Sequence, residues 1–248
     1  MIALRSLLFN IGYYGWTTFC VFALIASLTM PNRVTRAGAV MWARGIGWML
    51  RKVVGLGVTV RGAENLIDGP VIFAAKHQSA WETVMFLDIL GRDPAYVVKL
   101  ELTRIPLFGL CLLSTGAIAV DRSAGARALK ALIAGAQAAI AAGRSVMIFP
   151  EGTRAMPDER RPYQPGVAAI YTRLKRPVVP IALNSGLYWG RRGFMRYPGT
   201  VLVEILPPIQ PGLDRRRFMA ELEQRIERAT DRLIAEGRGQ VAPAEKET

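Results

Sequence analysis

Between Arg5 and Arg33 the chain carries no Asp, Glu, Lys or Arg. As a helix, Leu7 through Met30 would extend roughly 36 Å at 1.5 Å per residue, enough to cross a hydrocarbon core of about 30 Å. Three placements are open for this segment. It spans a bilayer. Alternatively it forms half of a hairpin lying in one leaflet, because Pro31-Asn32 can break the run and Ala39–Trp42 with Ile46–Leu50 makes a second apolar segment, interrupted only by Arg44. A cleaved signal peptide is the third, against which stand a run longer than the usual core of roughly 7–15 residues and the want of a convincing Ala-x-Ala site after it. The overall apolar fraction of 51% is concentrated at this end of the chain.

Arg33, Arg36, Arg44, Arg51 and Lys52 follow the segment and only Arg5 precedes it. That bias places the rest of the chain on the cytoplasmic side. The formal charge of +13 fits a surface that attracts anionic lipid head groups and acidic ligands. Nucleic acid is excluded as a partner: no helix-turn-helix, ribonucleoprotein-type or zinc-ligand signature is present, and an apolar N-terminus has no use there. Cys20 and Cys111 do not form a close pair, so neither a disulfide scaffold nor a metal site is indicated. Cys111, flanked by Leu110 and Leu112-Leu113, reads as core rather than as a nucleophile.

Short β-rich runs recur at Gly57–Val60, Val71–Ala74, Ala95–Val98, Ile118–Val120, Ser145–Phe149, Val178–Ile181 and Val201–Glu204. Helical patterns alternate with them: one after Glu82, one from Ala126 to Ala142 ended by Gly143, one after Pro165, and one from about Asp214 to Glu236. The last places Phe218, Leu222, Ile226, Ala229 and Leu233 on one stripe, while Arg215-Arg216-Arg217 falls on a solvated face. Such alternation predicts an α/β fold, a mixed and largely parallel central sheet flanked by helices, with the apolar helical segment in front of it. No internal repeat is visible, and the polar tail from Gly237 reads as disordered.

His77 is the only histidine. Imidazole is the side chain suited to take a proton near neutral pH, and Glu82 stands five residues on. On one continuous helix that spacing means about 140° of rotation and would point the two side chains apart. They meet only if His77 lies in a loop and Glu82 in the first turn of the helix after it. Ser79-Ala80-Trp81-Glu82 has the spacing of a helix capping box, which supplies such a junction. A second polar island, Phe149-Pro150-Glu151-Gly152-Thr153-Arg154, comes much later.

The ordered set of His77-x4-Glu82, then Lys99-Leu100-Glu101-Leu102 with Pro106 and Gly109, Val120-Asp121-Arg122, Phe149–Arg154 and Val179-Pro180-Ile181-Ala182 resembles the glycerolipid acyltransferases. Among these it is most similar to the bacterial, PlsC-like 1-acyl-sn-glycerol-3-phosphate acyltransferases. That family usually has aspartate where Glu82 stands and asparagine where Lys76 stands; glutamate keeps the charge on an arm one methylene longer. The apolar run, the charge bias and the polar tail divide the chain into a membrane-anchoring segment over 1–55, a catalytic domain over 56–236 facing the cytoplasm and a tail over 237–248, and the resemblance, carried by motifs from Val71 to Leu183, implies a bacterial-type inner membrane. It implies transfer of an acyl chain from acyl-CoA or acyl carrier protein to the sn-2 hydroxyl of lysophosphatidate, with no cofactor and no metal.

Acyl transfer to a hydroxyl needs a base, donors for the oxyanion and a site closed to water. His77 is the expected base and Glu82 its orienting carboxylate. The amides of the Glu151-Gly152-Thr153 turn are candidate oxyanion donors, with glycine permitting close approach. Arg154 is the first choice for the acceptor phosphate, with Lys99 as a point charge and Arg122 as a secondary contact. Arg154 paired with Glu151 or Asp158, and Arg122 with Asp121, are the structural alternatives. Another lyso-lipid acceptor, such as a lyso-ornithine lipid, fits the same frame. A membrane lipid hydrolase is a further reading, although Gly-x-Ser-x-Gly is absent.

Overall fold

The computed structural model describes residues 1–25 and 32–241. Two helices, α1 (Ile2–Ile25) and α2 (Asn32–Met49), open the chain, and a single π-helical turn over Leu50–Val54 leads into the sheet. Seven strands follow: β1 (Leu56–Arg61), β2 (Ile72–Ala75), β3 (Ala95–Lys99), β4 (Ile118–Val120), β5 (Val146–Ile148), β6 (Val178–Leu183) and β7 (Gly199–Ile205). Between and after them lie α3 (Trp81–Ile89), α4 (Phe108–Ser114), α5 (Ala126–Ala141), α6 (Gly166–Leu174) and α7 (Arg215–Val241). All seven β-rich runs became strands. The last helix continues to Val241, past the expected end at Glu236, because its apolar stripe docks along the sheet with Phe218, Leu222, Ile226, Ala229 and Leu233 buried. Arg215, Arg216 and Arg217 stay exposed. The tail beyond Val241, like Pro31 of the expected break, lies outside the described residues.

The sheet order is β1-β7-β6-β2-β5-β3-β4. β6, β2, β5, β3 and β4 run parallel to one another, whereas β7 is antiparallel to β6 and carries β1 parallel to itself. The mixed, largely parallel sheet expected from the alternation is therefore present. β2 is central, buried on both faces, and its residues alternate between two apolar layers. Ile72 and Ala74 pack with Leu132 of α5, Val167 of α6 and Phe218, Leu222 and Ile226 of α7. Phe73 and Ala75 pack with Ile46 of α2, Leu50, and Trp81 and Phe86 of α3. This parity decides where the next two residues go.

α1 and α2 pack antiparallel. A Cβ at Gly45 would lie 2.4 Å from Trp16 Nε1, and one at Gly38 would lie 2.3 Å from Leu24 Cδ2. Glycine inside a helix costs about 1 kcal/mol relative to alanine, and here it lets the two backbones close up. The Trp16 indole donates to the Trp42 carbonyl (3.1 Å), and the Trp42 indole donates to Thr17 Oγ1 (3.0 Å). α1 is long and apolar enough to cross a membrane, yet its flank is fastened to the domain. Phe9 meets Trp189 edge to face, the Arg196 amide donates to Ser6 Oγ (2.9 Å), and the Arg196 guanidinium lies 4.4 Å from the centre of the Trp189 ring. At its other end the Cys111 thiol of α4 faces the Val21 carbonyl. α2 is held by ion pairs of Arg36 with Asp93 (2.5 Å) and Arg44 with Asp88 (2.8 Å). Cys111 is buried, but Leu110 and Leu113 beside it are exposed rather than core. With Leu4, Leu7, Leu8, Ile11, Phe19 and Phe22 of α1, and Met41 and Trp48 of α2, they leave much apolar side chain uncovered on three helices in mutual contact.

Candidate active site

The candidate site residues of the sequence sit at or just beyond the carboxyl ends of parallel strands. His77 comes after β2, Lys99 closes β3, Arg122 comes after β4, and the Glu151–Arg154 turn comes after β5. Open α/β sheets form their crevices at this edge.

His77 lies in the loop between β2 and α3, and Glu82 lies in the first turn of α3. The junction needed to bring them together is present: His77 Nδ1 is 2.8 Å from Glu82 Oε1. The capping box is half made. The Glu82 carboxylate accepts from the Ser79 amide (2.7 Å), but the Ser79 hydroxyl accepts from the amide of Trp81 (2.8 Å) instead of that of Glu82. Glu82 also accepts from the Gln78 amide (2.6 Å) and from the Ser185 hydroxyl (2.7 Å), the latter reaching in from beyond the end of β6. Burial by itself would push this carboxyl up; the bond from His77, the Ser79 amide and the Ser185 hydroxyl outweigh it and hold the group below the usual carboxylate range. An ionised Glu82 can only accept, so Nδ1 carries a proton, and in the neutral imidazole Nε2 keeps its lone pair. The ring stacks on Phe149 with centroids 4.1 Å apart.

The turn after β5 clamps the histidine backbone. The His77 amide donates to Glu151 Oε2 (2.9 Å), and the His77 carbonyl accepts from the Ala155 amide (2.8 Å). Gly152 adopts φ +70°, a conformation side chains rarely take. A Cβ there would also lie 3.2 Å from Gln164 and 3.6 Å from the Arg122 guanidinium. Arg122 is thus against the turn.

One expectation changes, that for the Gly152 amide, while Glu151 keeps its own amide as a candidate donor. The Glu151 side chain turns inward to Lys76 and is sealed from any substrate, because an ammonium and an amide in the interior need its charge. The Gly152 amide is not a free donor: it closes the turn onto the Phe149 carbonyl (2.9 Å). The amides of Glu151 and Thr153 have no acceptor among the described residues.

The cations fare differently. Asp158 pairs with Arg238 and Glu151 with Lys76, so neither holds Arg154, which has no hydrogen bond or ion pair among the described residues. Arg154 stands near α1. The Tyr13 hydroxyl, raised mainly by burial and by Tyr14, is pulled back by the charges of Arg154 and Arg196. Asp121 spends its carboxylate on Ser123, leaving Arg122 without that partner. Lys99 is exposed, without an ion pair among the described residues, and in register with Val120 of β4. Ser185 and Phe149 went unassigned in the sequence; the sole hint was that Ser185 follows a strand at the motif-bearing edge. Cys111 is buried and its thiol is pushed up by that burial, which leaves it no nucleophilic role.

A family model described as Acyltransferase matches residues 57–184. This chain belongs to the acyltransferase family. It is 36% identical over 239 residues to the 1-acyl-sn-glycerol-3-phosphate acyltransferase of Pseudomonas aeruginosa, covering 94% of this chain and 91% of that one. It is 27% identical over 207 residues to the human 1-acyl-sn-glycerol-3-phosphate acyltransferase alpha, covering 81% and 71%. The crystal structure of PlsC, the 1-acyl-sn-glycerophosphate acyltransferase from Thermotoga maritima, superposes with a TM-score of 0.75 over 94% of this chain and 98% of that one, at 24% identity. The acyltransferase match spans the strands and loops that carry every motif residue of the site.

Proposed function

We propose that this acyltransferase makes phosphatidate, transferring an acyl chain from a thioester donor, acyl-CoA or acyl carrier protein, to the sn-2 hydroxyl of lysophosphatidate. The observation that carries the reading is the His77–Glu82 pair with Nε2 unbonded among the described residues, at the same sheet edge as Arg154, Arg122 and Lys99, none of which forms an ion pair among those residues. Nε2 takes the proton of the acceptor hydroxyl as its oxygen attacks the thioester carbonyl. Glu82 stabilises the imidazolium that forms. The Thr153 and Glu151 amides are the remaining backbone donors for the tetrahedral oxyanion. The proton then passes from Nε2 to the departing thiolate. Arg154, with Arg122 and Lys99, meets the acceptor phosphate, the fork of arginine matching two phosphate oxygens. A serine hydrolase is disfavoured because Ser79 and Ser185 both donate to Glu82, away from Nε2.

The same reading places the enzyme on the cytoplasmic face of a bacterial-type inner membrane. α1 contacts the domain near Ser6 and again near Val21, a separation of roughly 22 Å along the helix, and a helix fastened along its flank does not also cross a bilayer alone. The α1–α2 hairpin and α4 lie in one leaflet, with their uncovered leucines, Phe19, Phe22 and Trp48 among the acyl chains.

Product identity tests the proposal. Membranes carrying the protein, given labelled acyl thioester and lysophosphatidate, should yield labelled phosphatidate. Free fatty acid would indicate hydrolysis. Acylation of a lyso-ornithine lipid in preference would reassign the acceptor.

A further inference from the structure

Lys76 precedes the base by one residue and has no part in the transfer described above. Its side chain is 1% exposed. Strand parity carries it to the face opposite His77, where Nζ lies 2.8 and 3.0 Å from the two carboxylate oxygens of Glu227 on α7. The same ammonium is 2.8 Å from Glu151 Oε1, while the other Glu151 oxygen takes the His77 amide. The Tyr163 hydroxyl donates to Glu227 Oε1 (2.9 Å). Burying three ionisable groups is a poor way to gain stability, since apolar side chains of similar volume serve as well or better. The arrangement is specific in another way. One ammonium joins the loop that carries the base, the turn that carries Gly152 and Arg154, and the C-terminal helix.

We propose that Lys76 and Glu227 are positioning residues for acyl transfer: the Lys76 ammonium, fixed by Glu227, holds the Glu151 carboxylate on the His77 amide and so sets the turn against the base. The inference rests on the reading of the site as an acyltransferase centre, and it assigns a function to α7, which lies outside the matched family region. Two carboxylates share one cation here. Removing the cation therefore leaves two buried carboxyls facing each other, which must take up a proton or repel and so lose the arrangement around the His77 amide, and removing one carboxylate relieves them.

The full-length protein in detergent micelles at fixed surface dilution of lysophosphatidate tests this with Lys76→Met, Glu227→Gln and the double variant. Lys76→Met should lower kcat on the order of 10²-fold, the effect of displacing a reacting group by about 1 Å, and raise the acceptor KM. Glu227→Gln should cost a few-fold. The double variant should be clearly more active than Lys76→Met. Wild-type kcat and KM in Lys76→Met, or a loss that tracks the folded fraction and is untouched by Glu227→Gln, would overturn the proposal. Hydrogen exchange gives a readout independent of the acceptor: the amides of His77 and Ala155 should exchange faster in Glu227→Gln, and unchanged exchange overturns the positioning role. Wild-type protein that never turns over lysophosphatidate would count against the proposed function, while the exchange result would still decide the role of the cluster.

Discussion

Lys76 and His77 are chain neighbours that head two ionic constellations on opposite faces of the sheet, and the constellations differ chiefly in access. Around His77, amides and hydroxyls consume the capacity of Glu82, while the imidazole is 13% exposed with one nitrogen unspent. Around Lys76 the ammonium and the Glu151 side chain are both sealed. The pairing chemistry is the same on both sides. One side keeps a partly exposed ring with a nitrogen unbonded among the described residues, which suits it to the proposed proton transfer; the other spends its ions on each other and holds geometry.

Removing the working member should have the largest effect. His77→Ala should lower kcat by about 10² to 10⁴ with folding and membrane association retained, the usual contribution of a general base. Near-normal turnover would erase the distinction between the two sides. Glu82→Gln comes next: its amide would confront the Gln78 and Ser79 amides donor to donor, and losing one or two charge-assisted bonds should cost about 10- to 100-fold in kcat. Glu82→Asp should keep much of the activity. Equal rates for Glu82→Gln and wild type would make Glu82 a helix cap only.

Arg154→Lys keeps the charge and loses the fork, so the acceptor KM should rise about tenfold if one bond of about 1.5 kcal/mol is lost. The donor KM should not change; an effect on the donor alone would move Arg154 to the donor's phosphates. Ser185→Ala removes one hydroxyl from Glu82 and should lower kcat about three- to tenfold with KM constant. Steady-state kinetics with acceptor and donor varied separately read both.

The last prediction concerns stability, not turnover, on the sealed side. Burial pushes the Glu151 carboxyl up to about 7 from 4.5, against the attraction of Lys76. A raised folded-state value means that its contribution to stability is fully present below about pH 4.5 and is lost as pH rises towards 7. Thermal unfolding of wild type should therefore lose ground to Glu151→Gln across that window and run parallel to it above pH 7. A constant difference from pH 4.5 to 7 would mean that Glu151 stays ionised throughout.

Much of this architecture was legible as pattern. Strand and helix alternate with apolar periodicity, so all seven strands and the long helices α5 and α7 could be located from residue types. α4 could not. Its leucines look like core, but two of them face outward because the surface beside the α1–α2 hairpin is itself apolar. The His77–Glu82 contact was legible because only a loop-to-helix junction reconciles a five-residue spacing with a meeting of side chains. The inward turn of Glu151 was not, since the ammonium it answers belongs to a residue 75 positions earlier and shares that charge with α7.

The sequence by itself determined the charge-free N-terminus, the α/β alternation, the meeting of His77 with Glu82, and the family motifs, because each is carried by local spacing and residue chemistry. Tertiary structure decided which acidic groups are spent and which cations remain free. Asp158 went to Arg238, Asp121 to Ser123 and Glu151 to Lys76, leaving Arg154 and Arg122 with no ion pair among the described residues. The physical reason is that ion pairing is settled by which strand ends and helices the fold brings within a few ångströms, and Coulomb attraction, desolvation and hydrogen-bond direction act over those distances rather than along the chain.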